Sequence, residues 1–154
     1  YDARAEVMWA GSLSHNGLTG CGNGGDDFAT HGLEHELGGM FDVAHGAGLA
    51  AVWGSWARYV SHRAPHRFVK FAMNVFGITP EANEEETIEK GICAVEDFYR
   101  SIHMPTSMGE LGIHPTEEQI EEMAAGCERD TGGANGSVLP LKKEDMIRIY
   151  KMAR

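Results

Sequence analysis

Apolar positions recur along nearly the whole chain at helical rather than strand spacing. Asp2 is placed to cap a first helix that carries Ala5, Met8, Trp9 and Leu13 towards a core and ends near Asn16-Gly17. A glycine-rich loop follows (Gly20, Gly22, Gly24, Gly25), and then a second helix from about Asp27 to Met40. A third, from about His45 to Ser61, is apolar almost all round (Leu49, Val52, Trp53, Trp56, Val60), which predicts a central position. Phe68, Phe71, Ala72, Val75 and Phe76 fall at i, i+3, i+4, i+7 and i+8, the mark of an amphipathic helix, and Gly77 stops it.

Further on, Asn83 with Glu86 forms a capping-box pattern, and three consecutive glutamates suit the positive end of a helix dipole. That helix is expected to bury Ile88, Ile92, Val95, Phe98 and Ile102 and to stop before Pro105. Thr116 with Gln119 makes a second capping box, opening a helix with Ile120, Met123 and Cys127 inward. Asp130 to Gly136 is polar and glycine-rich and predicts a mobile surface loop; a last helix covers Lys143 to Ala153. No run alternates in the manner of a strand, and no repeat or low-complexity segment interrupts the pattern. The predicted fold class is all-α.

Composition narrows the setting. A chain of 154 residues that is 42% apolar can bury one substantial core, not two independent ones. Its net charge of −10, without a cluster of Lys or Arg, argues against nucleic acid and against an anionic membrane surface. The longest apolar run, Ala47 to Trp56, is broken by glycine and too short to span a bilayer. Cys21, Cys93 and Cys127 are odd in number and widely spaced, so they are expected as free thiols in a reducing compartment, the cytoplasm. The chain opens Tyr1-Asp2-Ala3-Arg4 with neither an initiator Met nor a secretory leader, and it enters a helical pattern at once. It is expected to be a fragment of a longer polypeptide.

Chemistry concentrates in one stretch. Three of the eight histidines lie within fifteen residues, at His31, His35 and His45. His31 and His35 are four apart and share a helix face. On an unbroken helix His45 would lie about 21 Å from His31, at ~1.5 Å per residue. Two imidazoles on one metal need Cα atoms within roughly 13 Å, given metal–nitrogen bonds of about 2.1 Å. His45 therefore joins the pair only if the chain reverses, and Gly38-Gly39 and Asp42 supply a candidate break. Three readings are open on these residues alone. His31-x-x-Glu34-His35 matches the inverted zincin motif, with both histidines on zinc and Glu34 as general base. Alternatively His31 and His45 hold the metal while His35 moves protons. The plainest reading makes all three ordinary polar residues on a half-exposed helix.

Longer motifs favour the second reading. Gly24-Gly25-Asp26-Asp27-Phe28-Ala29-Thr30-His31-Gly32-Leu33-Glu34-His35-Glu36-Leu37, continued through Asp42-Val43-Ala44-His45-Gly46-Ala47-Gly48-Leu49-Ala50, resembles the signature of the iron-containing (group III) alcohol dehydrogenases. The butanol dehydrogenase branch, which uses NADH or NADPH, is the part of the family it is most similar to. Met8-Trp9-Ala10, Asn16 to Gly20, Trp56 to Tyr59, Glu144-Asp145 and Ile149 to Ala153 extend the resemblance along the whole chain.

The resemblance implies that residues 1–154 form the all-helical, metal-binding C-terminal domain of the dehydroquinate synthase-like, iron-containing alcohol dehydrogenase fold. It implies a metal, Fe(II) or zinc in its place, held by an Asp and a His upstream of residue 1 together with His31 and His45. His35 is then the catalytic residue, close to the nicotinamide and assisting proton transfer. The partner it implies is an N-terminal dinucleotide-binding domain with a Gly-Gly-Gly-Ser loop, a sequence that does not occur here. The substrates would be a small aldehyde and its primary alcohol, and the assembly could be a homo-oligomer. Two departures stand out: Phe28 where the branch commonly has Trp, and the doubled acid Asp26-Asp27. On this reading the fragment alone is catalytically inert; the alternatives are a noncatalytic helical relic or interaction module, and a zinc hydrolase.

The remaining candidates are given structural roles. His62 and His66 are four apart but separated by Pro65 in basic surroundings and are expected at the surface. Trp53 and Trp56 are expected in the core, and Cys21 as a buried thiol.

Overall fold

The structure, a computed structural model, describes residues 1–22 and 26–154. Gly24 and Gly25 of the expected glycine loop lie outside them. The described residues contain α1 (Asp2–His15), α2 (Ala29–Phe41), α3 (His45–Val60), α4 (Pro65–Phe76), α5 (Glu84–Ser101), α6 (Glu117–Asp130) and α7 (Lys143–Met152). Two 3-10 turns, Leu18–Gly20 and Ser61–Arg63, follow α1 and α3. Among the described residues there is no strand, only one antiparallel bridge between Asn135 and Leu141. The all-α expectation holds.

α3 is central, as its apolar circumference predicts. It packs on α2 and α7 on one side and on α5 on the other. α6 closes the first group by packing on both α2 and α7, while α4 and α5 pair with each other. The larger core joins Leu33 and Leu37 of α2, Val52 and Val60 of α3, Ile120 and Met123 of α6, and Met146, Ile149 and Tyr150 of α7. A smaller core joins Ala57 to Ile88 and Ile92, flanked by Trp53, Trp56, Phe68 and Val69. Gly91 allows α5 to meet α4 closely, since a Cβ there would stand 2.6 Å from that of Ala72. Arg58 of α3 lies between Glu89 and Glu96 of α5; the hydrogen bonds it donates to Glu96, and then those to Glu89, hold its pKa above the ordinary range.

The caps follow sequence logic with two adjustments. Thr116 and Gln119 form the full reciprocal box, with Thr116 Oγ1 accepting from Gln119 N at 3.2 Å and Gln119 Oε1 accepting from Thr116 N at 2.8 Å. Asn83 Oδ1 accepts from Glu85 N at 3.0 Å. Asp2 is the first helical residue rather than the cap, which is Tyr1. Gly77, with φ 65°, ends α4 in the left-handed conformation.

Several apolar faces do not go where periodicity sends them. α1 has no buried residue: Met8 is 74% exposed and Trp9 63%, because α1 lies against the following 3-10 turn rather than the core. Val75, Phe98 and Ile102 are likewise exposed, beyond the reach of the α4–α5 contact. The expected surface loop over 130–136 is anchored instead. Asn135 is buried, and its Nδ2 donates to the Ala29 carbonyl at 2.8 Å while its backbone pairs with Leu141. Cys21 is exposed, contrary to expectation, just after the 3-10 turn Leu18–Gly20, which buries no residue; the cysteines are free. Among the described residues no helix is long and apolar enough to cross a membrane.

Burial pushes the Cys127 thiol up to about 12, so thiol reactivity should separate the cysteines. Cys21 is expected to react with a water-soluble disulfide reagent at once and Cys127 only after unfolding; labelling followed by peptide mass mapping checks the order. Replacing Thr116 by Ala removes one half of the capping box and should cost about 1 kcal/mol in a urea melt.

Candidate metal centre

The site is made by a reversal between two helices. α2 runs straight through Gly38-Gly39 and ends at Phe41; the chain then turns at Asp42, whose backbone is left-handed at φ 54°. The break therefore falls on the Asp, not on the glycine pair. An Asp tolerates this conformation better than a β-branched or bulky residue would. Three residues later α3 begins at His45, and the two helices pack side by side. His45 is thereby brought back along α2.

The imidazoles converge. The ring centroids of His31 and His45 are 5.4 Å apart, those of His35 and His45 5.6 Å, and those of His31 and His35 6.4 Å. Two imidazoles on one tetrahedral ion, each bound through a nitrogen at about 2.1 Å, place their centroids about 5 Å apart. Both pairs that include His45 match this spacing, and the helix neighbours His31 and His35 match it least. His35 and His45 are both exposed, so the group opens to solvent. His31 is partly covered, and its Nδ1 is buried with no hydrogen-bond partner among the described residues. Burial, then the neighbouring rings of His45, His35 and His15, push the His31 pKa below its ordinary value. A neutral imidazole is the form that binds a metal, so this environment suits a ligand. The donor set fits a borderline divalent cation such as Fe(II) or Zn(II).

Three further residues border the cluster, of which only His15 was not singled out by sequence. His15, the last residue of α1, stands 6.3 Å from His31 between ring centroids. Phe28 meets His31 edge-on at 5.1 Å, so the departure at that position sits against a candidate ligand. Glu34, assigned in sequence only a general-base role, is 2% exposed and its Oε2 contacts His45 Nδ1. Ligand atoms of Glu34, His35 and His45 all lie within 4.8 Å of one another. A carboxylate four residues before a histidine leaves a legible pattern at Asp27 and His31, yet Asp27 is turned elsewhere. It accepts from Ala29 N at 2.8 Å, Ser137 N at 2.8 Å and Val138 N at 2.7 Å, tying the 137–138 segment to the start of α2. His62 and His66 are exposed and take no part.

Known proteins resemble this chain along its whole length. The model of the C-terminal part of the Fe-containing alcohol dehydrogenase family matches residues 1–154. The NADH-dependent butanol dehydrogenase A of Clostridium acetobutylicum is 35% identical over 152 residues, covering 98% of this chain and 38% of that protein. The crystal structure of NADH-dependent butanol dehydrogenase A from Thermotoga maritima superposes with a TM-score of 0.89 at 34% identity, covering 99% of this chain and 39% of the other. The substrate- and cofactor-free aldehyde reductase YqhD of Escherichia coli gives 0.90 at 30% identity, covering 100% and 40%. The chain thus spans about two fifths of the length of the relatives it matches.

The Asp27 carboxylate serves three backbone donors at the base of the site. Its replacement by Ala should cost about 2 kcal/mol, read as a lowered urea midpoint, with Asn recovering part of the loss.

Proposed function

Because the chain belongs to the Fe-containing alcohol dehydrogenase family, we propose that residues 1–154 are the metal-binding C-terminal domain of an NADH- or NADPH-dependent alcohol dehydrogenase. The enzyme interconverts a small aldehyde and its primary alcohol, as the names of its butanol dehydrogenase and aldehyde reductase relatives suggest. The observation that carries this reading is the convergence of His31 and His45 across the α2–α3 reversal, with His35 exposed beside them.

In this reading His31 and His45 supply two of the metal's ligands. Fe(II), or Zn(II) in its place, would contribute Lewis acidity towards the aldehyde carbonyl, and the nicotinamide would contribute hydride. His35 stands at the solvent-facing side of the cluster, from where its ring can pass a proton to the carbonyl oxygen as it is reduced. α2 and α3 fix these rings on packed helices, which limits their drift from one another.

The dinucleotide-binding domain is the partner this reading requires. The exposed Val7, Met8 and Trp9 of α1 support a covering body, since these side chains find no shelter among the described residues. A reducing compartment, the cytoplasm, accords with the free cysteines. The hydrolase alternative loses its general base, because the Glu34 carboxylate is buried and turned to His45. Convergence of all three rings on one opening weighs against a degenerate relic, in which the side chains would be free to diverge on an intact fold.

Two expected results test the proposal. The chain alone should show no NADH- or NADPH-linked reduction of butyraldehyde above background; robust turnover would sink the fragment reading. Fused behind the remainder of a butanol dehydrogenase relative, it should reduce butyraldehyde. There, His31→Ala and His45→Ala should lose both metal and activity, whereas His35→Asn should lower kcat by about a hundredfold with metal content intact. Metal loss on His35→Asn with retention on His45→Ala would reverse the assignment.

A further inference from the structure

Glu34 is a carboxylate in an unusual place. It sits on α2 facing α3, in the layer where Leu33 and Leu37 supply core contacts, and it is 2% exposed. A buried carboxylate is costly unless a partner compensates it. Its partner is the Nδ1 of His45, eleven residues later and across the reversal.

The fold makes room for this side chain from two directions. A Cβ on Gly48 of α3 would stand 2.7 Å from both Cγ and Oε1 of Glu34, closer than real Cβ contacts allow. A Cβ on Gly38, one turn along α2, would meet Oε1 at 3.1 Å. Any larger residue at position 48 would push the carboxylate out of its slot. Two glycines on two helices thus form a recess for one carboxylate, whose free edge reaches a candidate ligand.

We propose that Glu34 is a positioning residue of the metal centre: its carboxylate accepts the Nδ1–H of His45 and so leaves Nε2 as the nitrogen presented to the cation. The proposal rests on His45 being a ligand, as set out under the proposed function. The physical reason is general. A metal-binding imidazole has one nitrogen for the metal, and a hydrogen bond at the other fixes its tautomer, its orientation and its basicity. Because His45 begins α3 and is exposed, packing alone does little to fix its ring, and the buried carboxylate takes over that task. Glu34 meets Nδ1 from the core side, which leaves Nε2 as the unengaged nitrogen of a ring that lies beside those of His31 and His35. The segment Glu34-His35 therefore combines one inward group that sets a ligand with one outward group that faces the opening.

The test uses the 154-residue chain in two readouts, one of which needs no metal. In metal-free, nitrogen-15-labelled protein at alkaline pH, long-range proton–nitrogen correlations report which His45 nitrogen is protonated. Nδ1–H is expected in the wild type, with that preference lost in Glu34→Met and in Gly48→Ala, which keeps the carboxylate but displaces it. Circular dichroism confirms that each variant folds, and Glu34→Gln provides an isosteric variant if the others do not. In the second readout, Zn(II) calorimetry, Glu34→Gln and Gly48→Ala should weaken binding by about 10- to 100-fold, and His45→Ala at least as much. An Nε2–H tautomer in the wild type, or variants that lose the tautomer preference without weakening Zn(II), overturns the proposal. Zn(II) affinity that His45→Ala leaves unchanged overturns the ligand reading instead, and the tautomer result then decides the Glu34–His45 pairing by itself.

Discussion

The left-handed turn at Asp42 is the constraint on which the rest depends. Without it α2 and α3 would be one helix, His45 would lie far along the axis from His31, and no cluster would exist. With it, the strongly apolar α3 folds back on α2, and the same packing that builds the core holds the imidazoles together. Core and site are therefore two faces of one helix pair. α6 and α7 support the pair from behind: Tyr150 donates from its hydroxyl to the Leu33 carbonyl at 2.7 Å, next to the buried carboxylate of Glu34.

Electrostatics at the site are arranged by depth. Glu34 lies innermost and pairs with one imidazole; His31 is half-covered and held towards its neutral form; His35 and His45 open to solvent. This gradient places the charge-compensated group where water cannot reach it and the proton-moving candidate where water can. A second such arrangement, Arg58 between Glu89 and Glu96, joins α3 to α5 and has no connection with the histidines. The Arg58 group ties two helices of the fold, and the Glu34–His45 contact lies at the candidate site.

Much of this was legible in the sequence because it depends on local signals. The helix periods, the Thr116–Gln119 box, the Gly77 stop and the need for a reversal before His45 all act within a few residues of themselves. What could not be read depends on what lies opposite. Periodicity showed that α1, Val75, Phe98 and Ile102 were apolar, but it cannot say whether anything covers them. Asn135 looked like loop polarity because its partners, Ala29 and Cys127, are distant in sequence or hidden in the core. Glu34 received no role outside the zinc-hydrolase alternative for a related reason. Within its five-residue motif it resembles a general base, and only the glycines at positions 38 and 48 reveal that its carboxylate is stored inward.

The exposure of α1 has a thermodynamic consequence. A fourteen-residue helix that buries none of its side chains gains little beyond its own backbone hydrogen bonds, and such helices are marginal in water. Whatever body shelters Met8 and Trp9 would therefore also contribute to ordering the helix, so docking and helix formation become one linked equilibrium. α1 ends in His15, whose ring lies beside that of His31. Covering α1 would thus be felt at the edge of the histidine cluster, where the proposed function places the metal.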